Sequence, residues 1–406
     1  MTRALLLEDP HKDADAVFAA QGIDVTRHHG ALDEAELIDA LDGVNIVGIR
    51  SKTNITKAVF DAHPQLRAIG AFCIGTNQID LRAASEAGVA VFNAPYSNTR
   101  SVVELAIAEI IALTRRLTVR NSKLHRGIWD KSSAGSHEVR GRTLGIIGYG
   151  NIGTQLSVLA EALGMNVVFY DIAERLALGN ARRVATLEEL LAISDVVSLH
   201  VDGAASNQSF FGAREFAAMK PGALFINLSR GFVTDLDALV EALESGHVAG
   251  AAVDVFPTEP KQNGDSFDSR LVGMDNVILT PHVGGSTLEA QLDIARFVAT
   301  KLCEYERSAT TEMSVNLPNL TLQPTDTSLF RLALIHRNTP GVLATLNQLF
   351  ATYGANIDAQ ILSTLGDTGY VLTDLSTPLP QPALDAISKL PQTVRLRVME
   401  RATALR

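Results

Sequence analysis

Residues 144–153 read Leu-Gly-Ile-Ile-Gly-Tyr-Gly-Asn-Ile-Gly, a short apolar run that leads into glycines spaced as Gly-x-Gly-x-x-Gly. The apolar run predicts a buried parallel strand, and the residues that follow predict a helix. In such a unit the glycines allow a tight turn, close approach of the backbone to a pyrophosphate, and close packing of helix on strand. Amide groups at the start of the helix can bind phosphates. We therefore predict a dinucleotide-binding turn built from Gly148, Gly150, Asn151, Ile152 and Gly153.

An acidic residue follows the next predicted strand. Residues 167–170 read Val-Val-Phe-Tyr and lead into Asp171. A carboxylate at this point accepts hydrogen bonds from the hydroxyls of an adenosine ribose and repels a 2′-phosphate. The alternative is a solvent-exposed residue at a strand end, which the spacing from the glycines disfavours. The pattern predicts NAD rather than NADP, and the nearby Arg175 is the feature that points the other way.

Short apolar runs alternate with amphipathic stretches along most of the chain, and this alternation predicts βαβ units and a layered α/β architecture. Residues 4–7, 44–49 and 66–71 are such runs in the first part of the chain. From residue 328 onward the predicted elements follow the order βαββαβ, which is that of a ferredoxin-like domain. Residues 317–326 contain two prolines and several polar residues, and we expect a linker there.

The composition limits the classes of protein to consider. The 406 residues are enough for two or three domains, and 46% are hydrophobic, which is enough for several cores. A formal net charge of -10 argues against a general nucleic-acid binder. Cys73 and Cys303 are too far apart in sequence for a disulfide framework or a metal-binding knuckle, so we expect no metal site and a reducing compartment. Neither a signal peptide nor a membrane-spanning apolar run is evident, and the expected location is the cytoplasm.

Three polar residues follow predicted strands, at the end of the sheet where open α/β folds bind ligands. They are Arg230, Glu259 and His282. A histidine exchanges protons near neutral pH, a carboxylate beside it favours the imidazolium, and a guanidinium can hold a substrate carboxylate through two hydrogen bonds. Each residue also has a structural alternative: a salt bridge at a strand end, an exposed loop acid, or a histidine in a glycine turn. Behind a dinucleotide-binding turn, the three together favour the reduction of a keto acid.

The segments that carry these residues are Ser-Arg-Gly at 229–231, Asp-Val-Phe-x-x-Glu-Pro at 254–260 and Pro-His-x-Gly-Gly-Ser-Thr at 281–287. In this order, behind the glycine turn, they resemble the D-isomer-specific 2-hydroxyacid dehydrogenases, nearly from end to end. The resemblance implies hydride transfer between NAD and a small 2-hydroxy acid, with His282 as acid and base. The residues then expected to contact the cofactor are Leu228, Ser229, Arg230, Asp254, His282, Gly284 and Gly285.

The resemblance is strongest to members of the family that act on a phosphorylated 2-hydroxy acid. The segments similar to their substrate-binding parts are 49–53 (Ile-Arg-Ser-Lys-Thr), 73–78 (Cys-Ile-Gly-Thr-Asn-Gln) and 93–101 (Asn-Ala-Pro-Tyr-Ser-Asn-Thr-Arg-Ser). The resemblance implies that Arg50 and Ser51 contact the substrate, with Asn98 close by. A phosphorylated acid needs such cations and donors in an acidic chain. By position alone, Arg50 and Lys52 would be residues of a solvated strand end.

The C-terminal part resembles an ACT domain, and residues 334–343 (Leu-Ile-His-Arg-Asn-Thr-Pro-Gly-Val-Leu) are similar to the segment that binds L-serine in feedback-inhibited members of the family. The resemblance implies an effector site with His336, Asn338 and Asn356, whose side chains offer donors and acceptors to an amino acid. Asparagines also serve turns, and that alternative stays open. The resemblance also implies a homotetramer, in which paired ACT domains join edge to edge and the segment around Trp129 lies at the other subunit contact.

The predicted fold class is α/β, with a split flavodoxin-like substrate domain, an inserted Rossmann NAD-binding domain and a C-terminal ferredoxin-like ACT domain. The predicted boundaries are 1–97 with 285–322, 98–284, and 323–406. Two other functions stay open: a different dehydrogenase of this family, such as a hydroxypyruvate or glyoxylate reductase, and a non-catalytic NAD-sensing binding protein. A second activity on 2-oxoglutarate is also compatible with the resemblance.

Overall fold

The computed structural model describes residues 2–260, 264–323 and 328–400. Its contacts divide the chain into two compact units, Met1–Ser97 with Gln291–Arg406, and Asn98–Ala290. The chain therefore builds part of the first unit, forms the whole of the second, and returns to complete the first. The finer division into three domains stays a prediction.

The first unit contains a parallel sheet. Its strands are β1 (Arg3–Leu7), β2 (Asp24–His28), β3 (Ile46–Ile49), β4 (Ala68–Ala71) and β5 (Ala90–Phe92). The helices between them are α1 (Asp13–Ala19), α2 (Glu34–Ala40), α3 (Lys57–Ala62) and α4 (Leu81–Glu86). The strand order is β2-β1-β3-β4-β5, which is flavodoxin-like as predicted. β3 and β4 are buried at every residue, because an apolar core lies on each face of the sheet.

The second unit contains a larger parallel sheet. Its helices are α5 (Thr99–Thr114), α6 (Leu117–His125), α7 (Asn151–Ala162), α8 (Leu187–Ile193), α9 (Ala213–Ala218) and α10 (Leu236–Glu244). Its strands are β6 (Thr143–Ile147), β7 (Asn166–Tyr170), β8 (Arg182–Arg183), β9 (Val196–Leu199), β10 (Ala223–Asn227), β11 (Val248–Val253) and β12 (Val277–Leu279). The order is β12-β11-β10-β9-β6-β7-β8. Because β6 has β7 on one side and β9 on the other, the strand order reverses there, and this is where such sheets bind ligands.

A four-stranded antiparallel sheet follows helix α11 (Leu288–Ser308) in the C-terminal part of the chain. Its elements are β13 (Phe330–Arg337), α12 (Val342–Thr352), β14 (Ile357–Leu365), β15 (Thr368–Leu375), α13 (Gln381–Ser388) and β16 (Thr393–Glu400). The strand order is β14-β15-β13-β16, so the predicted βαββαβ arrangement is confirmed. Of the predicted linker, residues 324–326 lie outside the described residues. None of the helices in the described ranges is both long enough and apolar enough to cross a membrane.

The two faces of the antiparallel sheet are buried in different cores. The residues of the core between this sheet and its own helices are Leu332, Leu334, Leu346, Phe350, Val371 and Ile387. On the opposite face, the residues that join the core of the parallel lobe are Ala333, Ile335, Tyr370 and Leu372. That second core also contains Phe18 of α1 and Val298 of α11. The antiparallel sheet therefore lies between its own two helices and the helices of the parallel lobe.

The edge strand β16 adds hydrogen bonds to this packing. Arg395 donates through Nη1 to the carbonyl of Leu66 at 2.6 Å. Through Nη2 it donates to the carbonyls of Pro64 and Ala87 at 3.0 and 2.9 Å. One side chain thus binds three main-chain carbonyls of the parallel lobe, and these bonds stabilise the position of the C-terminal sheet in the first unit.

Helix α5 buries a carboxyl group in the second unit. Glu109 is 3% exposed, and neither of its carboxyl oxygens has a hydrogen-bond partner among the described residues. Burial, and then the charge of Asp254, raises the pKa of Glu109 to about 8. The folded protein therefore holds Glu109 in its neutral, protonated form at pH 7.

A buried ion pair in the C-terminal sheet generates the first prediction. Arg331 of β13 donates through Nε and Nη2 to the two oxygens of Asp374 on β15, at 2.6 and 2.7 Å, and the side chains are 3% and 0% exposed. Asp374→Ala would leave a buried guanidinium without its counter-charge. We expect it to lower the free energy of unfolding by about 3 kcal/mol. Urea unfolding followed by circular dichroism measures the change.

Asp61→Ala is the matched control, because it removes the partner of Lys57 from an exposed ion pair. We expect this variant to change the free energy of unfolding by less than about 0.5 kcal/mol. Equal effects of the two substitutions would mean that burial adds nothing to the Arg331–Asp374 pair.

The buried carboxyl of Glu109 generates a pH-dependent prediction. Above the ordinary pKa of about 4.3, the unfolded chain releases this proton while the folded chain keeps it. Wild-type stability should therefore fall as pH rises toward about 8. Glu109→Gln cannot ionise, so its stability relative to wild type should increase by a few kcal/mol, on the order of 1.4 per pH unit, and level off above that pH. Unfolding curves at a series of pH values test this.

Glu104→Gln on the same helix is the control, since Glu104 is exposed and paired with Arg100. Its stability difference from wild type should vary little with pH. If the Glu109→Gln difference were equally flat, Glu109 would be ionised in the folded protein and the assignment of its proton would be wrong.

Candidate active site

Two close contacts and one open side shape the glycine turn between β6 and α7. Gly148 has φ +91°, and a Cβ there would lie 2.5 Å from the carbonyl oxygen of His200. A Cβ on Gly153 would lie 2.3 Å from the carbonyl oxygen of Gly148. At Gly150 a Cβ would meet no atom of the described residues within 4 Å. The first and third glycines are therefore required by packing within the protein, and the second leaves the backbone open to a ligand.

The start of α7 provides donors for that ligand. Gly150 is the N-cap residue of this 12-residue helix, and no side chain of the described residues caps it there. The first amide groups, beginning at Asn151 and Ile152, can therefore donate to phosphate oxygens at the positive end of the helix dipole. Together with the open backbone at Gly150, these amides fit the pyrophosphate of NAD.

The predicted ribose acid also holds the glycine turn in place. Asp171 follows β7 and is 8% exposed. Its Oδ2 accepts from the amide of Tyr149 at 2.8 Å, and its Oδ1 accepts from the amide of Ala173 at 2.8 Å. Nε of Arg175 lies 3.4 Å from Oδ2. A carboxylate has further lone pairs beyond these bonds, so Asp171 can still accept from ribose hydroxyls.

The turn that carries Arg230 is organised by a residue that the sequence did not single out. Asn227, the last residue of β10, accepts through Oδ1 from the amide and the hydroxyl of Ser229 at 3.0 and 2.8 Å. Its Nδ2 donates to the carbonyl of Arg230 at 3.2 Å and to the hydroxyl of Thr234 at 3.0 Å. Asparagine often bonds to a following turn in this way, so an asparagine at the end of a predicted strand is the sequence signal that could have identified Asn227. A Cβ on Gly231 would lie 1.9 Å from the carbonyl carbon of Phe256, so only glycine fits at this position.

The buried carboxylate of Asp254 fixes the segment that carries His282. It follows β11 and is 1% exposed. Its Oδ1 accepts from the hydroxyl of Thr280 at 2.6 Å and from the amide of Val283 at 2.8 Å, and its Oδ2 accepts from the amide of Gly284 at 2.9 Å. His282 has φ +55°. Such a conformation costs a residue with a side chain about 1–2 kcal/mol, which these hydrogen bonds offset.

His282 and Glu259 form a hydrogen-bonded pair. Nδ1 of His282 lies 2.9 Å from Oε2 and 3.1 Å from Oε1 of Glu259. Oε1 also accepts from the amide of Phe256 at 3.1 Å. Because a carboxylate only accepts, Nδ1 carries a hydrogen, and Nε2 is the ring nitrogen left for proton exchange with a ligand.

The charges around this pair shift both pKa values. The hydrogen bond with Glu259 raises the pKa of His282 above its ordinary value; burial opposes this shift, Asp254 adds to it, and Arg230 opposes it. Burial raises the pKa of Glu259, but the hydrogen bond and charge of His282, the amide of Phe256 and the charge of Arg230 outweigh burial, so the net pKa is lowered. His282 therefore stays protonated to higher pH than an isolated histidine, while Glu259 stays charged to lower pH.

The three predicted catalytic residues are thus brought together in the second unit, because His282 and Glu259 are bonded and Arg230 acts on the pKa of both. No group of three or more His, Cys, Asp or Glu side chains in the described ranges is arranged to hold a metal ion. The arrangement can exchange a proton and bind an anionic substrate beside a nucleotide site.

The predicted substrate residues lie in two separate parts of the chain. Arg50 and Ser51 follow β3 in the first unit. Asn98 begins the second unit as the N-cap residue of α5, and a Cβ on Gly285 would lie 2.2 Å from its Nδ2. The roles of these three in substrate binding stay predictions. Further predictions of this kind are the cofactor contacts of Leu228, Ser229, Asp254, Gly284 and Gly285.

The predicted effector residues lie in the C-terminal sheet and its loops. His336 is 3% exposed; its Nδ1 lies 2.9 Å from the carbonyl of the next residue, and its buried Nε2 has no partner among the described residues. A Cβ on Gly369 would lie 2.2 Å from the His336 ring, so the ring occupies the space that this glycine leaves. Asn338 donates to the carbonyl of Gly366 at 3.1 Å, which is a turn role, and Asn356 is exposed. The effector role of the three stays a prediction.

Known proteins resemble this chain along nearly its whole length. Residues 107–284 match the family described as D-isomer specific 2-hydroxyacid dehydrogenase, NAD binding domain, and residues 332–395 match the AHAS small subunit-like ACT domain. The chain is 50% identical to a D-3-phosphoglycerate dehydrogenase of Escherichia coli (strain K12), over 97% of each protein. It is 47% identical to D-3-phosphoglycerate dehydrogenase 2 of Saccharomyces cerevisiae, over 96% of this chain and 85% of that protein.

Solved structures show the same architecture. A glyoxylate reductase from Paecilomyes thermophila superposes with a TM-score of 0.69 at 27% identity, over 77% of this chain and 98% of that one. The resemblance indicated by the motifs is therefore confirmed, including its extension to proteins named D-3-phosphoglycerate dehydrogenase. The match to an ACT domain confirms the assignment of the C-terminal sheet. The chain belongs to the D-isomer specific 2-hydroxyacid dehydrogenase family and is an NAD-dependent dehydrogenase.

Proposed function

We propose that the protein oxidises D-3-phosphoglycerate to 3-phosphohydroxypyruvate with NAD, which is the first step of L-serine biosynthesis. The observation that carries the proposal is the bonded pair of His282 and Glu259, on whose pKa values the charge of Arg230 acts, at the strand ends of an NAD-binding unit. The substrate comes from the relatives, since proteins that share 47% and 50% identity over nearly the full chain are named for it.

His282 acts as the base of the oxidation. Its Nε2 accepts the proton of the substrate hydroxyl, and the imidazolium that forms is stabilised by the Glu259 carboxylate, 2.9 Å from Nδ1. Bound NAD supplies the acceptor for the hydride of the α carbon. The guanidinium of Arg230 holds the substrate carboxylate through two hydrogen bonds and keeps the reacting carbon in place. In the reverse direction the protonated His282 donates the proton.

Asp171 gives the site a preference for NAD over NADP. A 2′-phosphate would approach a carboxylate that is fixed by the amides of Tyr149 and Ala173 and cannot turn away. Arg175 lies 3.4 Å from this carboxylate. The positive charge of Arg175 is therefore partly neutralised, which weakens the attraction of Arg175 for a 2′-phosphate.

Side chains outside the His282–Glu259 pair bind the substrate's phosphate group. Arg50 and Ser51 supply a cation and a hydroxyl after β3, and Asn98 supplies an amide at the start of α5. In a chain with a net charge of -10, an anionic substrate needs such a local set of donors.

The ACT domain binds L-serine, and bound serine slows turnover. His336 offers a buried Nε2 without a partner among the described residues, and the N-terminus of α12 has no side-chain cap in the described structure. An amino acid has a carboxylate for the helix start and polar groups for histidine and asparagine. Asn338 and Asn356 complete the proposed effector site.

The protein is a homotetramer of the cytoplasm. One contact uses the apolar surface of α6 and the residues after it, which includes the exposed side chains Leu117, Leu124, Ile128 and Trp129. Exposed large apolar side chains concentrated in one short segment favour a subunit contact there. The second contact joins ACT domains through an edge strand, where backbone groups are available for pairing. The proposed location rests on the positions of Cys73 and Cys303, which are too far apart in sequence for a disulfide framework.

A second candidate is the reduction of an unphosphorylated 2-keto acid, which the similarity to a glyoxylate reductase favours. Reduction of 2-oxoglutarate as an additional activity belongs to the same class. The His282–Glu259 pair would serve all of these substrates, and the residues after β3 decide among them. The bonded pair and its charges disfavour a protein that only senses NAD.

The deciding experiment measures NADH oxidation with 3-phosphohydroxypyruvate, glyoxylate, hydroxypyruvate and 2-oxoglutarate, each with and without L-serine. We expect the phosphorylated substrate to give the highest kcat/KM and serine to reduce the rate. His282→Ala should lower kcat by roughly 1000-fold while NADH still binds, because proton transfer is lost and the nucleotide site is intact.

If L-serine left the rate unchanged, the proposed dehydrogenase activity would stand and the proposed effector site would be excluded. If an unphosphorylated acid gave the higher kcat/KM, the proposed role of His282 would stand, but the assignment of the phosphorylated substrate would be wrong. Unchanged turnover in His282→Ala would remove this residue from the chemistry.

Glu259→Gln tests the electrostatics of the pair. Without the carboxylate, the pKa of His282 should fall toward its ordinary value, since Glu259 is the main cause of its increase. Reduction requires protonated His282 and is lost as pH rises through this pKa, so the high-pH limb of kcat/KM should move to lower pH. We also expect kcat/KM to fall by roughly 100-fold at its optimum. A pH profile of reduction measures both changes.

Glu188→Gln, on an exposed residue paired with Arg214 in the same unit, is the control and should leave the profile in place. A high-pH limb that does not move in Glu259→Gln would show that another group titrates in it.

A further inference from the structure

Two residues directly after β1 adopt the left-handed backbone region. Glu8 has φ +64° and Asp9 has φ +50°. Residues with side chains adopt this conformation rarely, and it persists where the surrounding structure enforces it. The amide of Glu8 donates to the carbonyl of Gly30 at 2.9 Å, which helps to hold the turn. The result is that the Glu8 side chain reaches the end of β3, the strand beside β1.

The Glu8 carboxylate accepts hydrogen bonds from three consecutive amides. Oε2 accepts from Ser51 at 3.1 Å and from Lys52 at 3.0 Å, and Oε1 accepts from Thr53 at 2.8 Å. Glu8 itself is 8% exposed. Hydrogen bonds from an amide to a charged, buried acceptor are stronger than those between neutral groups. The conformation of residues 51–53 is therefore set by one side chain that lies 43 positions earlier than Ser51 in the sequence.

The residue before these amides is held from the other neighbouring strand. Nε2 of Gln78 donates to the carbonyl of Arg50 at 2.5 Å, and Sγ of Cys73 lies 3.5 Å from the same oxygen. Both side chains follow β4, which pairs with β3 on the side away from β1. Residues 50–53 are thus fixed between the ends of two strands, by Glu8 on one side and by the segment after β4 on the other.

These contacts concern the residues that bind the substrate in the proposed function. Because the amides of residues 51–53 donate to Glu8, anion binding falls to side chains such as those of Arg50 and Ser51. A binding segment that is already ordered loses less entropy when the ligand binds. We infer that Glu8 is a positioning residue that fixes segment 50–53 so that its side chains bind the phosphate group of the substrate, an inference that rests on the proposed function.

The charge of Glu8 and its positioning of segment 50–53 would affect binding of the phosphate group in opposite directions. A carboxylate near a phosphate repels it, so removal of the charge alone would improve binding. If positioning dominates, its removal weakens binding. The sign of the change in KM therefore distinguishes the two.

The test compares wild type with Glu8→Gln in the reduction of 3-phosphohydroxypyruvate and of hydroxypyruvate, which lacks the phosphate. We expect KM for the phosphorylated substrate to rise by roughly tenfold, the effect of losing one charge-assisted hydrogen-bond set. KM for hydroxypyruvate, kcat for both substrates and KM for NADH should change by less than about twofold. A merely structural role would instead affect both substrates alike.

Glu306→Gln is the matched control. Glu306 is a largely buried carboxylate of the same unit that binds Arg67, next to the opposite, amino ends of the strands. Its loss should affect stability and leave the ratio of the two KM values unchanged. Gln78→Ala provides a second variant should Glu8→Gln fold poorly, because it releases segment 50–53 from the other side and should raise the same KM selectively.

Three outcomes would overturn the inference: a lower KM for the phosphorylated substrate in Glu8→Gln, an equal increase for both substrates, or unchanged KM values. The wild-type enzyme separates this from failure of the proposed function. If wild type shows no preference for the phosphorylated substrate, the proposed function fails first. If the preference is present and neither Glu8→Gln nor Gln78→Ala reduces it, only the role of Glu8 fails.

Discussion

The hydrogen bonds of Asp254 are the constraint on which the candidate active site depends. This buried carboxylate draws the hydroxyl of Thr280 and the amides of Val283 and Gly284 to the end of β11. His282 lies within that segment in a left-handed conformation, which would relax without these bonds. Its ring would then leave the carboxylate with which it now pairs. Burial is the main reason that Glu109 stays protonated, and the charge of Asp254 adds to it, so this one carboxylate contributes both to the position of His282 and to the raised pKa of Glu109.

Much of the fold could be predicted because its signals are local. The strands β1, β6 and β7 form where short apolar runs predict them, and the glycine turn depends on contacts within one strand–turn–helix unit. The grouping of Arg230, Glu259 and His282 could be predicted because all three residues follow strands of one sheet. Parallel topology brings such residues to one edge, whichever strands lie between them.

The supporting residues could not be predicted, because their partners are distant in sequence. Glu8 looks like an ordinary charge after an apolar run until β1 and β3 pair and bring its three amide donors within reach. Asp254 was assigned to the cofactor from its motif, whereas its bonds to the histidine segment follow from how β11 and β12 are paired. Glu109 occupies a helix position at which a carboxyl is unexpected, and only packing shows that it is buried.

The sharing of one core between the antiparallel sheet and helices α1 and α11 has a consequence for the evolution of this chain. Tyr370 and Ile335 fill the same core as Phe18 and Val298, so loss of the C-terminal sheet would expose aromatic and aliphatic side chains of the parallel lobe. An ancestor without the C-terminal sheet would have required compensating changes on the surface of α11 in order to gain this sheet. The ACT domain and the parallel lobe of the first unit are therefore constrained to change together, and an ACT domain exchanged between distant relatives would not match the core that it has to complete.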